Sequence, residues 1–153
     1  MLPEALQNHA VAAAFSGLAT GGKFELAELT VEVAPENIVA AMTLARHELK
    51  FERLSTVTVV DRYPTEPRFE IVYHLHSISR KERLRLKARV SGENPEIDSA
   101  VPVYRAADWY EREAYDLFGV RFLNHPDLRR IMMPDDWEGH PLRKDYPVTG
   151  PRY

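Results

Sequence analysis

The last third of the chain combines charges, prolines and single large apolar residues in an order that fits no regular secondary structure. After a short helix that Gly119 is expected to end, the apolar residues recur with a period of neither 2 nor 3.6, so this segment cannot bury one face against a core of its own. Disordered segments are poor in aromatic residues, yet this one carries four at wide intervals: Phe122, Trp137, Tyr146 and Tyr153. We therefore predict an extended C-terminal arm, residues 119–153, that docks on another protein.

The remaining residues, 1–118, are enough for one globular domain with a core. A net charge of −3 gives no overall attraction to nucleic acid or to anionic lipid. The chain has no cysteine, which excludes disulfides, a thiol nucleophile and the thiolate ligands that most iron–sulfur clusters require. It shows no signal peptide and no run approaching the roughly 18 apolar residues of a membrane span. We expect a soluble, cytoplasmic protein.

The apolar periodicities of the domain predict a helix, a strand, a second helix and then three strands. The predicted helices cover residues 5–17 and the residues after Pro35, and the predicted strands cover residues 25–33, 55–63, 68–76 and 83–90. Short connections between the last three strands imply antiparallel hairpins. This order indicates an α+β fold, a two-layer sandwich of helices on a mixed, largely antiparallel sheet.

A further short helix is predicted after a loop at residues 91–103. Asp108 with Glu111 three residues later resembles a capping box. Glu111 and Glu113 diverge by about 200° on a helix and cannot share a substrate atom, so we do not expect catalysis by this pair. We instead expect the carboxylates of this helix to receive arginines as the arm folds back. The candidate arginines are Arg129, Arg130 and Arg143.

Two groups of polar residues elsewhere allow more than one interpretation. His74 and His76 share one strand face, as two metal ligands could, but no third ligand is evident nearby. The histidines and acids of residues 125–140 match no recognised metal loop. In both places, hydrogen-bonded polar residues are the simpler interpretation.

The strand at residues 83–90 alternates apolar residues with Arg83, Arg85, Lys87 and Arg89. A solvated outer face explains this stripe most simply, and an RNA surface or an acidic protein partner are the alternatives. No aromatic row accompanies the stripe, which disfavours RNA. Phosphate-binding glycine loops and nucleophile motifs are absent from the sequence, so we expect no catalytic residues on this chain.

Several of these residues together resemble a known family. Glu111-Arg112-Glu113, Asp116-Leu117-Phe118, His125 and residues 129–132 are similar to the signature of the 30-kDa subunit of respiratory complex I, the proton-pumping NADH:quinone oxidoreductase. Residues 107–110 before this stretch, residues 138–147 after it and residues 70–75 upstream also look like the family.

The resemblance implies a cofactor-free subunit in the peripheral arm of the complex, on the cytoplasmic side of a prokaryotic cell membrane and attached to it only through the complex. Its partners would be the 49-kDa subunit of the quinone site, the small subunit with the terminal iron–sulfur cluster and other peripheral-arm subunits. Iron–sulfur clusters, FMN and quinone would belong to those partners. Membrane-bound hydrogenases and other ion-pumping oxidoreductases contain homologous subunits and remain the alternative.

The arm would then wrap the 49-kDa neighbour. The expected partner-binding residues are Glu111, Arg112, Glu113, Asp116, His125, Arg129, Arg130, Trp137, His140, Arg143, Lys144, Asp145 and Tyr146.

Overall fold

A five-stranded sheet organises the protein. The strands are β1 (Ala19–Glu25), β2 (Glu28–Val33), β3 (Arg53–Asp61), β4 (Phe69–Ser77) and β5 (Glu82–Val90), in a computed structural model that describes residues 1–150. Their order is β1-β2-β5-β4-β3. Only the β2–β5 pair among these neighbours is parallel, so the predicted mixed, largely antiparallel sheet is confirmed. Tyr153, one of the four aromatic residues expected to dock, lies outside the described residues.

The helices contribute to one core with a single face of this sheet. They are α1 (Glu4–Gln7), α2 (Ala10–Ala14), α3 (Ile38–Thr43) and α4 (Ala107–Phe118), with a 3-10 turn at Pro35–Asn37 before α3 and a π-helical turn at Leu44–Glu48 after it. Ile38, Met42 and Ala45 of the predicted stripe are fully buried against alternate residues of the strands. The predicted α+β class is therefore confirmed. Within residues 1–150, no helix is both long and apolar enough to cross a membrane.

The predicted first helix is interrupted. His9 has extended backbone angles, and its Nδ1 accepts the N–H of Ala12 at 3.4 Å, so it separates α1 from α2 and caps α2. Strand β1 was not predicted because its centre is a pair of glycines, which carry no apolar pattern. A side chain at Gly22 would lie 2.7 Å from the Thr30 carbonyl of the paired strand, so the close approach of β1 to β2 requires glycine there.

Two short strands flank α4, and both were missed in the sequence. β6 (Glu96–Asp98) lies in the predicted loop, and β7 (Arg121–Leu123) pairs with it in parallel. Three residues are too short to show an alternating pattern. Val120 and Phe122 are buried in the core, so the chain remains part of the folded domain for several residues after α4.

Both ends of α4 test a prediction. Gly119 has a φ of 77° and ends the helix in the left-handed conformation, as predicted. The predicted capping box is wrong, because no side chain caps the first turn and the Glu111 carboxylate instead accepts hydrogen bonds from Ser99 and Ala100. The division into a domain of residues 1–118 and an arm stays a prediction. We call residues 119–150 the C-terminal segment.

Two buried tyrosines offer a matched test of the core. Among the described residues the Tyr73 hydroxyl has no hydrogen-bond partner, whereas that of Tyr104 donates to the Phe51 carbonyl at 2.6 Å. Because a buried unpaired hydroxyl is costly, Tyr73→Phe should raise the free energy of unfolding by about 1 kcal/mol, and Tyr104→Phe should lower it by a similar amount. Urea unfolding followed by circular dichroism measures both. Equal losses in the two variants would contradict the assignment.

Candidate interaction site

Helix α4 buries three charged side chains that were predicted as site residues: Glu111, Arg112 and Asp116. Glu113 is exposed, as expected for a residue that diverges from Glu111 around the helix. A buried charge loses its hydration and must be paired or hydrogen bonded. The partners of these three charges therefore show what α4 holds in place.

Asp116 organises the turn at residues 130–133. Its carboxylate accepts the N–H groups of Ile131, Met132 and Met133 at 3.1, 2.6 and 2.8 Å. Arg130 Nη1 donates to the same carboxylate at 2.6 Å. Burial by itself would raise the pKa of Asp116, but these donors lower it below its ordinary value. The expectation that a carboxylate of this helix receives an arginine as the chain folds back is confirmed for Arg130.

Arg112 holds the backbone of the same turn. Its Nε donates to the Arg129 carbonyl and its Nη2 to the Arg130 carbonyl, both at 3.1 Å. The guanidinium also lies 5.1 Å from the centre of the Trp109 ring, a distance at which cation–π attraction is favourable. Arg112 therefore holds carbonyls while Asp116 holds N–H groups, and together they satisfy a stretch of backbone that has no strand or helix partner.

Glu111 binds the loop before α4. Ser99 Oγ and the Ala100 N–H donate to its two oxygens, each at 2.6 Å. The Glu111 side chain is fully buried, and that burial raises its pKa from 4.5 to about 7; the nearby Asp108 charge acts in the same direction, against these two hydrogen bonds.

His125 closes this polar cluster from the C-terminal segment. Its Nδ1 accepts the Asp127 N–H at 3.0 Å, so the ring proton lies on Nε2, which donates to the Asp108 carbonyl at 3.1 Å. Nε2 is also 3.9 Å from Glu111 Oε2, and the imidazole is completely buried. The His125 ring thus fixes the point at which the chain leaves β7.

The carbonyls at the C-terminal end of α4 are paired by the C-terminal segment. These carbonyls receive no hydrogen bond from an N–H group of the helix and lie at the negative end of its dipole, so they attract N–H donors and cations. The pairs are His140 Nδ1 with the Asp116 carbonyl at 2.9 Å, the Leu142 N–H with the Leu117 carbonyl at 3.0 Å and Arg143 Nε with the Phe118 carbonyl at 2.5 Å.

Trp137 and Tyr146 meet in the outer part of the segment. Trp137 Nε1 donates to the Tyr146 hydroxyl at 3.1 Å, and both side chains are half-buried. Gly139, with a φ of 82°, packs so closely on the Tyr146 ring that a β-carbon there would lie 2.8 Å from it. Arg130 Nη2 donates to the carbonyls of Trp137 and Gly139, both at 2.9 Å, which links this pair to the Asp116 turn.

A second anchor lies at the hairpin between β3 and β4. Arg68 donates from Nε and Nη2 to Asp61, both at 2.8 Å, and from Nη1 and Nη2 to Asp145 at 3.1 and 2.7 Å. The Lys144 N–H also donates to Asp61, at 2.9 Å. The Arg68 guanidinium lowers the pKa of Asp61 well below its ordinary value. Arg68 thus bridges a carboxylate of the sheet and a carboxylate of the segment.

Asp61 and Arg68 were missed as site residues. The sequence carried one signal for them, opposite charges at the facing ends of two strands joined by a proline-containing turn. That signal identifies a hairpin pair but not Asp145, because residues 77 positions apart in the chain meet only through the tertiary fold.

Arg129 and Lys144 do not join the anchored network through their side chains. Arg129 is exposed and pairs with its neighbour Asp127 at 2.7 Å, and the Lys144 side chain is exposed. No group of three or more histidine or acidic side chains within residues 1–150 could hold a metal ion. The arrangement holds backbone in place.

Removing the Asp116 charge tests the first anchor. Asp116→Asn leaves Arg130 partly buried without its carboxylate, so the free energy of unfolding should fall by about 3 kcal/mol. Trypsin should also cleave after Arg129 and Arg130 faster than in the unsubstituted protein. Asp136→Asn, an exposed position of the same segment, serves as the control and should change neither quantity. Equal effects of the two substitutions would contradict the assignment.

The raised pKa of Glu111 predicts a pH dependence. Between pH 4.5 and about 7 the unfolded chain releases a proton that the folded protein keeps, so this carboxyl lowers the free energy of unfolding as pH rises through that window, by about 3 kcal/mol in total. Glu111→Gln, which cannot ionise, should lack this loss, and its stability relative to the unsubstituted protein should rise by that amount from pH 4.5 to 8. Glu113→Gln is the matched exposed control. A constant difference across this range, measured by urea unfolding, would contradict the prediction.

Comparisons with known proteins identify the family. Residues 31–152 match the family described as the respiratory-chain NADH dehydrogenase 30-kDa subunit. The C subunit of the NADH-quinone oxidoreductase of Citrifermentans bemidjiense is 52% identical over 124 residues, 81% of this chain and 77% of that protein. Its counterpart in Geotalea uraniireducens is 54% identical over 124 residues, 81% of this chain and 76% of that protein.

Two solved structures share the fold. A structure of Nqo5, described as its trypsin-resistant fragment 1–134, aligns with a TM-score of 0.65 at 28% identity, covering 70% of this chain and 88% of that one. A chain of the membrane-bound sulfane sulfur reductase, an archaeal respiratory membrane complex, aligns with a TM-score of 0.78 at 26% identity, covering 90% and 84%. The chain belongs to the family of the 30-kDa subunit of the respiratory-chain NADH dehydrogenase, a component of NADH-quinone oxidoreductases.

Proposed function

We propose that this protein is a structural subunit of the peripheral arm of a complex I-type NADH:quinone oxidoreductase, which it serves by holding the quinone-reducing module together. Electron transfer coupled to proton translocation would depend on it only through assembly. The observation that carries this proposal is the two-sided C-terminal segment, whose polar groups are satisfied on its inner side while large apolar side chains project outward.

Asp116, Arg112 and Arg68 hold the inner side of the segment. On its outer side, the apolar side chains of Met132 and Leu142 are 64% and 53% exposed. Trp109, which stacks on Arg112, is 61% exposed. Tryptophan and methionine are enriched at protein interfaces relative to the rest of the protein surface. The segment therefore has the character of a docking arm that is shaped before its partner binds.

The family resemblance suggests which partners the arm meets. These are the 49-kDa subunit of the quinone site and, close by, the small subunit with the terminal iron–sulfur cluster. The iron–sulfur clusters, FMN and quinone would be held by partner subunits, since a chain without cysteine lacks the usual cluster ligands. The protein would sit on the cytoplasmic side of a prokaryotic cell membrane and reach it only through the complex.

The Nqo5 structure supports a distinction between domain and arm, because a trypsin-resistant fragment 1–134 was obtained from that protein.

A second candidate function has one observation in its favour. The likeness to the sulfane sulfur reductase chain covers 90% of this protein, which suggests a homologous subunit in another respiratory membrane complex. Identities above 50% with the NADH-quinone oxidoreductase subunits of two bacteria favour the NADH:quinone oxidoreductase.

Charging the outer side of the arm tests the proposal. The double variant Met132→Asp and Leu142→Asp should reduce the yield of the other subunits that co-purify with this protein by about tenfold or more, because charged groups are excluded from interface cores. The free energy of unfolding of the isolated protein should stay unchanged, since both side chains are exposed.

The matched control is Leu26→Asp, a 99% exposed leucine in the β1–β2 turn, which should leave assembly intact. NADH:quinone activity of the membranes should fall with the assembled complex. Assembly of the double variant at the unsubstituted yield would overturn the docking arm.

A further inference from the structure

A groove on the outer face of the sheet, opposite the helices, is not used by the C-terminal segment. It has a volume of about 470 Å³ and crosses β2, β3, β4 and β5. Its charged and histidine lining consists of Glu28, Arg53, His74, His76, Arg83 and Arg85.

The lining is strongly unbalanced in charge. Arg85 Nη2 lies 2.5 Å from Glu28, and Arg83 Nη1 lies 3.5 Å from the same carboxylate. Arg53 forms no ion pair with another residue in the described part of the chain. The groove therefore carries three guanidinium groups and one carboxylate, and only Arg83 and Arg85 pair with that carboxylate. Because the Arg83 side chain is 73% exposed, its charge is available to a ligand.

The pKa of the half-buried His74 imidazole reflects the same excess of positive charge. Burial lowers the pKa of His74, and the charges of Arg85, Lys87 and Arg83 lower it further, against the opposing effect of Glu28. His74 thus lies among several positive charges that one carboxylate, Glu28, opposes, and a surface with such an excess of positive charge attracts anions.

The shape of the groove favours a polypeptide. β3 is an edge strand of the sheet, and its register shifts between Leu54 and Thr56, next to the groove. The groove spans four strands, so a single small anion would contact only part of the basic lining. The lining contains no Phe, Tyr or Trp, whereas single-stranded RNA sites stack bases on aromatic rings.

We propose that this groove binds an acidic segment of a neighbouring subunit, whose carboxylates pair with Arg53 and Arg83 while Arg85 remains with Glu28. This inference rests on the proposed function in needing neighbouring subunits. It is independent of the C-terminal arm, which lies elsewhere on the molecule. Complementary charge at such a surface contributes specificity and fast association.

Zero-length cross-linking of the intact complex tests the proposal. Arg53→Lys and Arg83→Lys place amines in the groove, and a water-soluble carbodiimide joins an amine directly to a carboxylate. We expect peptides that link position 53 or 83 to an aspartate or glutamate of another subunit. Arg121→Lys, an exposed arginine of β7 paired with Glu96, is the matched control and should link only within the chain. A link from the groove to Glu28 alone would overturn the proposal.

Charge reversal gives a second readout. The double variant Arg53→Glu and Arg83→Glu should lower the yield of co-purifying subunits by about tenfold, and the loss should shrink as the ionic strength of purification rises. The isolated unsubstituted protein, titrated with inorganic phosphate and with a single-stranded RNA oligonucleotide, should show no saturable NMR shift of His74 or His76. Saturable binding of either probe, abolished by the charge reversal, together with no inter-subunit link would overturn the proposal.

The two proposals can fail separately. If cross-links from the groove are found while Met132→Asp and Leu142→Asp leaves assembly intact, the docking arm is lost and the groove stands. If Met132→Asp and Leu142→Asp blocks assembly, but cross-linking of the complex that keeps Met132 and Leu142 gives no link between subunits, only the proposal for the groove is overturned.

Discussion

The buried carboxylate of Asp116 is the interaction on which the shape of the C-terminal segment depends. A charge removed from water requires several donors, and a chain without regular secondary structure has backbone N–H groups without acceptors. Both requirements are satisfied at residues 131–133, where three successive N–H groups donate to the Asp116 carboxylate. Arg112 does the converse for two carbonyls. An irregular segment thereby acquires a defined path without an apolar core of its own.

Different parts of the protein surface differ in their chemical character. Polar anchors hold the segment at the end of α4 and at Arg68, and two of its apolar side chains, Met132 and Leu142, are exposed. On the far side of the sheet, alternation places the apolar residues of β5 in the core and its basic residues outside. The fold thus places the exposed apolar side chains of the segment and the basic groove on different parts of the surface.

Much of the fold was predictable from local pattern. Apolar periodicity predicts strands β3, β4 and β5 and the apolar stripe of α3, and the backbone freedom of glycine predicts the end of α4 at Gly119. Both signals can be read from residues that are close together in the sequence. β1 was not predictable, because its glycines acquire strand structure only by pairing with β2. The capping box failed for a related reason: Glu111 is recruited by Ser99 and Ala100, which the fold brings to its side.

For the candidate site, the sequence by itself identified the residues of α4 and of the segment through their density of charge and their family likeness, and it indicated that arginines would return to this helix. Only the tertiary structure decided the pairing. Asp116 takes Arg130, whereas Arg143 donates to a helix carbonyl and Asp145 meets Arg68. Charges far apart in sequence have many possible partners of similar strength, and the choice is made by burial, which excludes water and leaves each charge only the donors or acceptors that the packed elements bring within reach.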